Sequence, residues 1–309
     1  MHLFGDEPQE VTYFLRAIYD SRYVVVPSYL KHVYTQTQLV PNKSFFEPPP
    51  TLTNIQTIAG ILRLSTKYDV EYLRRRALKH LDALYPSSLE AFDKRQDTRT
   101  TPWRDNTAFY VASLARELGL EWLMPPVLYC VCSCPAGDIV DGYIWNDHLD
   151  QEDIDDAKDG EGKEEEKGKE KENKEKWKKR IKLDKEDRGR CVRALIDLGN
   201  REKRDLLCFL TVDRVLGCEM PDECRKGRVE MLRMVDGSRD YLDPLGAMDT
   251  RWGWYAKCVC KVCAEEGRRA HDEERGRFWD ALPRIFGLKN WDVLQDLKWE
   301  ALYGGDSNS

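Results

Sequence analysis

Residues 61–92 read ILRLSTKYDVEYLRRRALKHLDALYPSSLEAF, and they indicate the fold class most clearly. Its apolar residues recur at spacings of three and four, which places them on one face of an α-helix. Asp69 is a favourable N-cap residue, and a helix with an apolar face is predicted from Val70 to Leu84, where Pro86 stops it. Ser87-Ser88-Leu89-Glu90 has the pattern of a capping box for a further helical turn. The stretch therefore predicts one helix after another.

The same spacing extends in both directions along the chain. Val11, Phe14, Leu15 and Ile18 predict a helix over about Glu10–Asp20, and a second helix is expected over Asn54–Lys67. Further helices are predicted over residues 108–118, 121–134, 184–198, 201–210, 223–234, 254–281 and 291–297. The only strand signal lies near the front, at Tyr23–Val26. The expected fold class is mainly α, with a small α+β remnant.

Composition and charge exclude several classes of protein. The chain has 309 residues, a net charge of −6 and 41% hydrophobic residues, which suits about two domains with real cores. No apolar run is long enough for a membrane span, and the acidic N-terminus lacks the apolar core of a signal peptide. We therefore expect an intracellular protein of the cytoplasm, the nucleus or both. Ten cysteines in such a chain indicate reduced thiols or bound metal rather than disulfides.

The cysteines give the most specific chemical pattern. Cys260-x2-Cys263 has the spacing of a zinc-binding pair, and Cys218-x5-Cys224 offers a second, looser pair 35 residues upstream. Two interpretations remain open: a structural zinc site, or four small reduced cysteines of the core. We favour core cysteines and predict no cofactor, with structural zinc as the alternative. Cys258 and His271 are further candidate ligands nearby.

The sequence contains no recognised catalytic motif. The G-x-S-x-G, H-E-x-x-H and dinucleotide-binding patterns are absent, and Gly162–Lys169 departs from a phosphate-binding loop in spacing and context. His271-Asp272-Glu273-Glu274 reads as a solvated helix face. We therefore predict that the protein is not an enzyme.

Residues 151–182 are rich in Glu and Lys and are predicted to form a charged linker. The segment ends in the basic run Lys176–Lys182, which could contact nucleic acid through its phosphates. A partner of this kind is not favoured, because the chain as a whole is acidic.

Two segments carry a resemblance to a known family. VTYFLRAIYDSRYV at 11–24 and the stretch at 61–92 resemble the second half of the BTB/POZ domain of fungal, mushroom-type BTB proteins. Three later segments are similar, in the same order, to the extension of that branch: residues 114–132, 183–198 and 271–291. The strand and helix that open a BTB/POZ domain do not precede Met1, so the resemblance implies a partial domain.

The resemblance implies the following organisation: a partial BTB/POZ domain at 1–95, a helical continuation at 96–150, the charged linker at 151–182, a helical region with the paired cysteines at 183–303 and a disordered tail at 304–309. It implies a non-catalytic protein-interaction module or adaptor of a ubiquitin ligase or transcription complex. The implied partner is a protein, either a second copy of the chain or a cullin-type scaffold. Six residues are expected on interaction or core faces: Phe14, Leu15, Tyr19, Leu62, Tyr68 and Leu73. The alternative is a zinc-stabilised regulatory protein that contacts nucleic acid through 176–182.

Overall fold

A computed structural model describes residues 5–19, 44–101, 107–146, 178–199, 203–236, 244–246 and 248–304 of the chain. The chain divides into two compact units, one formed by residues 1–104 and 296–309 and the other by residues 105–295. The described residues are mainly helical, as the sequence predicts. None of the described helices combines the length and the apolar character that a membrane crossing requires.

Before residue 104, the described part of the first unit forms four helices: α1 (Pro8–Tyr19), α2 (Ile55–Lys67), α3 (Glu71–Leu84) and α4 (Leu89–Lys94). Helix α2 is buried along most of its length, because its apolar residues face both α1 and α3. Gly60 permits the close approach of α1, since a Cβ at this position would lie 3.1 Å from the backbone of Glu10.

Side chains cap two described helices of the first unit, and the second cap, Ser88, lies one residue after the Ser87 of the predicted capping box. The side chain of Asn54 accepts a hydrogen bond from the Thr57 N–H and caps α2, and Ser88 caps α4 in the same way through the Ala91 N–H. The prediction that Asp69 caps the next helix is wrong. Asp69 has a φ of 55° and lies in the turn between α2 and α3, and Val70 occupies the N-cap position. Aspartate tolerates this left-handed conformation better than most residues do.

The second unit begins with helices and a small sheet: α5 (Thr107–Glu117), a 3₁₀ turn (Glu121–Leu123), α6 (Met124–Cys132), α7 (Ala136–Asp141), β1 (Tyr143–Asn146) and β2 (Lys178–Ile181). It continues with α8 (Lys185–Asp197), α9 (Lys203–Leu206), α10 (Cys208–Thr211), α11 (Pro221–Asp236), α12 (Trp252–Cys258) and α13 (Lys261–Ile285). The last helix, α14 (Trp291–Tyr303), includes residues of both units.

The described strands form one small sheet in the second unit. Strands β1 and β2 pair antiparallel, with Tyr143 opposite Ile181. Strand β2 uses the last residues of the segment predicted as a linker. Residues 23–26 and 147–177 and the tail at 305–309 lie outside the described residues.

The helix predicted over 254–281 is two helices. Helix α12 ends at Cys258 and α13 begins at Lys261, with Val259 and Cys260 in extended conformation between them. Helix α13 also extends beyond the predicted end at Ala281, through Pro283 to Ile285. Periodicity did not reveal the break, because apolar residues keep a helical spacing on both sides of it.

Candidate metal centre

Cys218 lies on a tight turn that precedes α11. The Cys218 N–H donates to the Val215 carbonyl oxygen at 3.1 Å, which closes a four-residue turn. Gly217 has a φ of 79° at the third position of this turn, where a residue with a side chain would be strained. The local sequence Leu216-Gly217-Cys218 therefore fixes where the first thiol points.

Cys224 lies in the first turn of α11, six residues further on. Pro221 occupies the first helical position, where its missing N–H costs nothing and its fixed φ favours a helix. One turn beyond Cys224, Gly227 lies against the end of α12. A Cβ at Gly227 would collide with the Cys258 carbonyl oxygen, so only glycine allows α11 to approach this segment.

Cys260 and Cys263 lie at the break between α12 and α13. Cys260 is the N-cap residue of α13 and Cys263 is in its first turn. Each cysteine pair thus has one member just before a helix and one in the first turn of that helix. Partial positive charge at a helix N-terminus stabilises thiolates, and two such ends meet here.

The two pairs come together as one cluster. The Sγ atoms of Cys218, Cys224, Cys260 and Cys263 all lie within 4.8 Å of one another. Those of Cys218 and Cys260 are 3.9 Å apart, close to the edge of roughly 3.8 Å of a tetrahedron with metal–sulfur distances of about 2.3 Å. Cys218 is half-buried and the other three are buried. The cluster could therefore hold a metal ion. From the sequence we favoured four reduced core cysteines and kept structural zinc as the alternative.

The electrostatics of the four thiols differ. Burial raises the pKa of Cys260, but the backbone N–H groups of Cys263 and Glu219 oppose this, and the pKa falls to about 6. Burial raises the pKa of Cys224, although the Cys260 N–H donates to its Sγ at 3.1 Å. Burial and the neighbouring thiols raise the pKa of Cys263. A bound divalent cation would favour the thiolate form of all four.

A buried, positively charged side chain also lies beside the cluster. Arg228 on α11 is 2% exposed, and its Nη1 lies 3.7 Å from Cys263 Sγ. Its Nη2 donates to the Asp213 carbonyl oxygen at 3.2 Å, while the buried Nε has no hydrogen-bond partner. Sequence analysis missed Arg228, Gly217 and Gly227. The sequence does place a glycine beside each of Cys218 and Arg228. Residue spacing alone, however, does not show that Arg228 lies against the cysteines.

The other candidate ligands lie outside the cluster. Cys258 is half-buried at the end of α12 and is not one of the four clustered thiols. His271 lies eight residues beyond Cys263 on α13, where its Nδ1–H donates to the Leu206 carbonyl oxygen at 2.9 Å. Its ring packs against Trp252 and Phe209, so its prediction as part of a solvated face is wrong.

The residues predicted for interaction or core faces divide by exposure. Phe14, Leu62 and Leu73 are fully buried in the first unit. Tyr68 packs on Phe14, with ring centroids 5.9 Å apart, and donates to Asp6 Oδ2 at 2.6 Å. Leu15 is half-buried and Tyr19 is 82% exposed. Only Tyr19 of the six is largely accessible.

The basic run 176–182 is described from Lys178 onwards. Arg180 in β2 is exposed, and its guanidinium donates to the carbonyl oxygens of Asp141 and Gly142 at 3.2 Å. This side chain therefore binds the end of α7. The side chains of residues 176–179 lie outside the description.

Comparisons with known proteins give no match for this chain among protein-family models, curated proteins or solved structures.

Proposed function

We propose that Cys218, Cys224, Cys260 and Cys263 hold one structural Zn²⁺ that stabilises the second unit, and that the protein is a non-catalytic interaction adaptor. The observation that carries the metal proposal is the approach of all four Sγ atoms to within 4.8 Å. Four thiolates in this arrangement suit a soft, tetrahedral ion, and zinc is the most common such ion in proteins. The spacing suits one ion better than an iron–sulfur cluster, in which separate iron atoms take the ligands.

A site with four protein ligands supports a structural role. Catalytic zinc keeps one coordination position for water or substrate, and four cysteines leave none. The ion would instead join the turn at Cys218 and the starts of α11 and α13. Cys224, Cys260 and Cys263 also belong to the apolar core around Phe209 and Met231. Metal binding would therefore stabilise the packing of several helices.

Two observations support an adaptor role. The segment held by Cys218 exposes apolar side chains: Leu216 is 97% exposed, and Val212 and Met220 are also exposed. Exposed apolar side chains close together are typical of surfaces that bind other proteins. The resemblance of residues 11–24 and 61–92 to BTB/POZ proteins supports the same class, with a second copy of the chain or a cullin-type scaffold as partner. Nucleic-acid binding is not favoured, because Arg180 of the basic run binds backbone carbonyl groups.

Metal analysis of the purified full chain tests the zinc site. We expect one zinc per chain and, after exchange, the visible absorption of tetrahedral Co²⁺ bound to thiolates. Cys218→Ser should lose most of the zinc, whereas Cys258→Ser should keep it, because Cys258 lies in the same region but outside the cluster. A folded, metal-free protein that takes up no zinc would contradict the proposal, and stoichiometric iron would assign a different ion.

Sedimentation velocity tests the adaptor role. We expect the zinc-loaded full chain to form dimers as its concentration rises, or to bind an added cullin N-terminal domain. Leu216→Ser should weaken an association that uses the Cys218 segment without removing the zinc. A chain that stays monomeric and binds no cullin domain would contradict both proposed partners.

A further inference from the structure

Arg228 combines two properties that rarely occur together: it is buried, and it has no carboxylate partner among the residues that the structure describes. Its side chain lies on α11 one turn beyond Cys224, and 2% of the residue is exposed. No carboxylate among the described residues lies within ion-pair distance of it. Arginine stays protonated in proteins, so this position carries a full positive charge. Burying an unpaired charge is strongly unfavourable, and an anion is therefore expected beside it.

The contacts of the guanidinium identify the anion. Nη1 is 3.7 Å from Cys263 Sγ, and Nη2 is held at 3.2 Å by the Asp213 carbonyl oxygen. The Asp213 contact orients the guanidinium but brings no charge. Four thiolates around a divalent ion carry a net charge of −2, and one arginine reduces this to −1. The cluster therefore supplies the negative charge that Arg228 needs, and Arg228 supplies part of the compensation that the buried cluster needs.

We propose that Arg228 is the positioning residue of the metal centre, which donates an N–H to Cys263 and balances the charge of the tetrathiolate so that the bound metal is retained. This inference rests on the proposed zinc site. Groups that hydrogen-bond to metal ligands typically change metal affinity about 10–100-fold when they are removed. Arg228 would contribute in two ways, through its charge and through the orientation of the Cys263 thiolate.

Substitution at position 228 tests the proposal. Arg228→Met retains an unbranched aliphatic stem but removes both the charge and the hydrogen-bond donors. Arg228→Lys keeps the charge but replaces the planar guanidinium with an ammonium group. We expect the zinc dissociation constant of the full chain, measured by competition with a chelator, to rise about 10–100-fold for Arg228→Met. Arg228→Lys should fall between this variant and the wild type. Arg225→Met is the matched control, because Arg225 lies on the same helix but is exposed, and it should bind zinc as the wild type does.

A spectroscopic readout separates the proposed role from a purely structural one. In the Co²⁺-substituted protein, an N–H donor and a positive charge stabilise the sulfur electrons and move the sulfur-to-metal charge-transfer band to higher energy. Arg228→Met should shift this band to lower energy, and Arg225→Met should leave it in place. A folded Arg228→Met protein with wild-type affinity and an unshifted band would overturn the inference. A wild-type protein that binds neither Zn²⁺ nor Co²⁺ would instead overturn the zinc proposal on which it rests.

Discussion

Asp187 joins two helices of the second unit, α5 and α8. It is 1% exposed in the first turn of α8 and receives two hydrogen bonds from Arg116 on α5, at 2.5 and 2.6 Å. Arg190 adds a third at 2.9 Å. Burial acts to raise the pKa of Asp187, but the two guanidinium groups outweigh it and lower the pKa below its usual value. The carboxylate is therefore charged and accepts hydrogen bonds from both arginines.

We expect Asp187→Ala to reduce the free energy of unfolding by about 3 kcal/mol, because it leaves two partly buried arginines without their shared anion. Urea denaturation at neutral pH measures this change. Glu186→Ala is the control: its side chain is exposed and forms its ion pair with Arg190 at the surface, so its cost should stay below about 1 kcal/mol. Equal effects of the two substitutions would show that burial of the pair contributes nothing.

His80 gives the first unit a pH-dependent stability. Its Nε2–H donates to the Glu47 carbonyl oxygen at 2.8 Å, and its ring packs on Phe46. Burial lowers its pKa from the ordinary value of 6.5, with a smaller contribution in the same direction from Arg76, and the Glu47 contact opposes the shift. The unfolded chain therefore takes up a proton below pH 6.5 that the folded protein takes up only at lower pH. The free energy of unfolding should decrease as the pH falls through this range.

His80→Gln isolates this contribution, because glutamine keeps an N–H donor for Glu47 but does not titrate. We expect the variant to be less stable than the wild type at pH 7.5, since it loses the ring contact with Phe46. Its stability should then fall less steeply between pH 7.5 and 5.5, as measured by urea unfolding at each pH. Parallel stability curves for the two proteins would assign the pH dependence to other groups.

At the scale of elements, the approach of α11 to the end of α12 depends on Gly227. A Cβ at this position would collide with the Cys258 carbonyl oxygen, which is backbone and cannot move aside alone. We expect Gly227→Ala to cost about 1–3 kcal/mol of stability, as overpacking of a core contact typically does. It should also weaken zinc binding, because α11 carries Cys224. Gly276→Ala on α13 is the control, since a Cβ there meets nothing within 4 Å.

Thermal unfolding and chelator competition of both glycine variants give the test. The control should be neutral or slightly more stable, because alanine is the better helix former. If Gly227→Ala matched the control in both measurements, the close approach of α11 to Cys258 would not exist in solution.

The sequence predicted most elements but not how their ends meet. Apolar spacing is a local property, and it identified α1, α2, α5, α8 and α11 to within a few residues. The break at Val259-Cys260 and the left-handed Asp69 depend on packing between elements, which spacing does not encode. For the same reason the cysteine pairs were visible in the sequence while their convergence was not. Arg228 was indistinguishable from the many charged residues around it until the fold placed it against Cys263.

Over the whole molecule, the two units differ in whether their described residues include a candidate metal cluster. The first unit has a core of helix contacts, built around residues such as Leu62 and Leu73, without a candidate metal cluster among its described residues. The core of the second unit includes three of the four clustered cysteines. A ligand that binds only the folded state stabilises that state, and removing it has the opposite effect. Zinc removal should therefore act on the second unit.

Hydrogen exchange on the intact chain, with and without a strong zinc chelator, tests this difference. We expect chelation to remove the protection of backbone amides in residues 203–236 and 248–285, where the four cysteines and the helices around them lie. Amides in α2 and α3 should keep their protection, because no candidate metal ligand lies near them among the described residues. The same chelator added to Cys218→Ser, which already lacks the site, should change little and controls for effects unrelated to zinc. Loss of protection in α2 and α3 together with the second unit would show that the chain unfolds as one cooperative body and that zinc stabilises all of it.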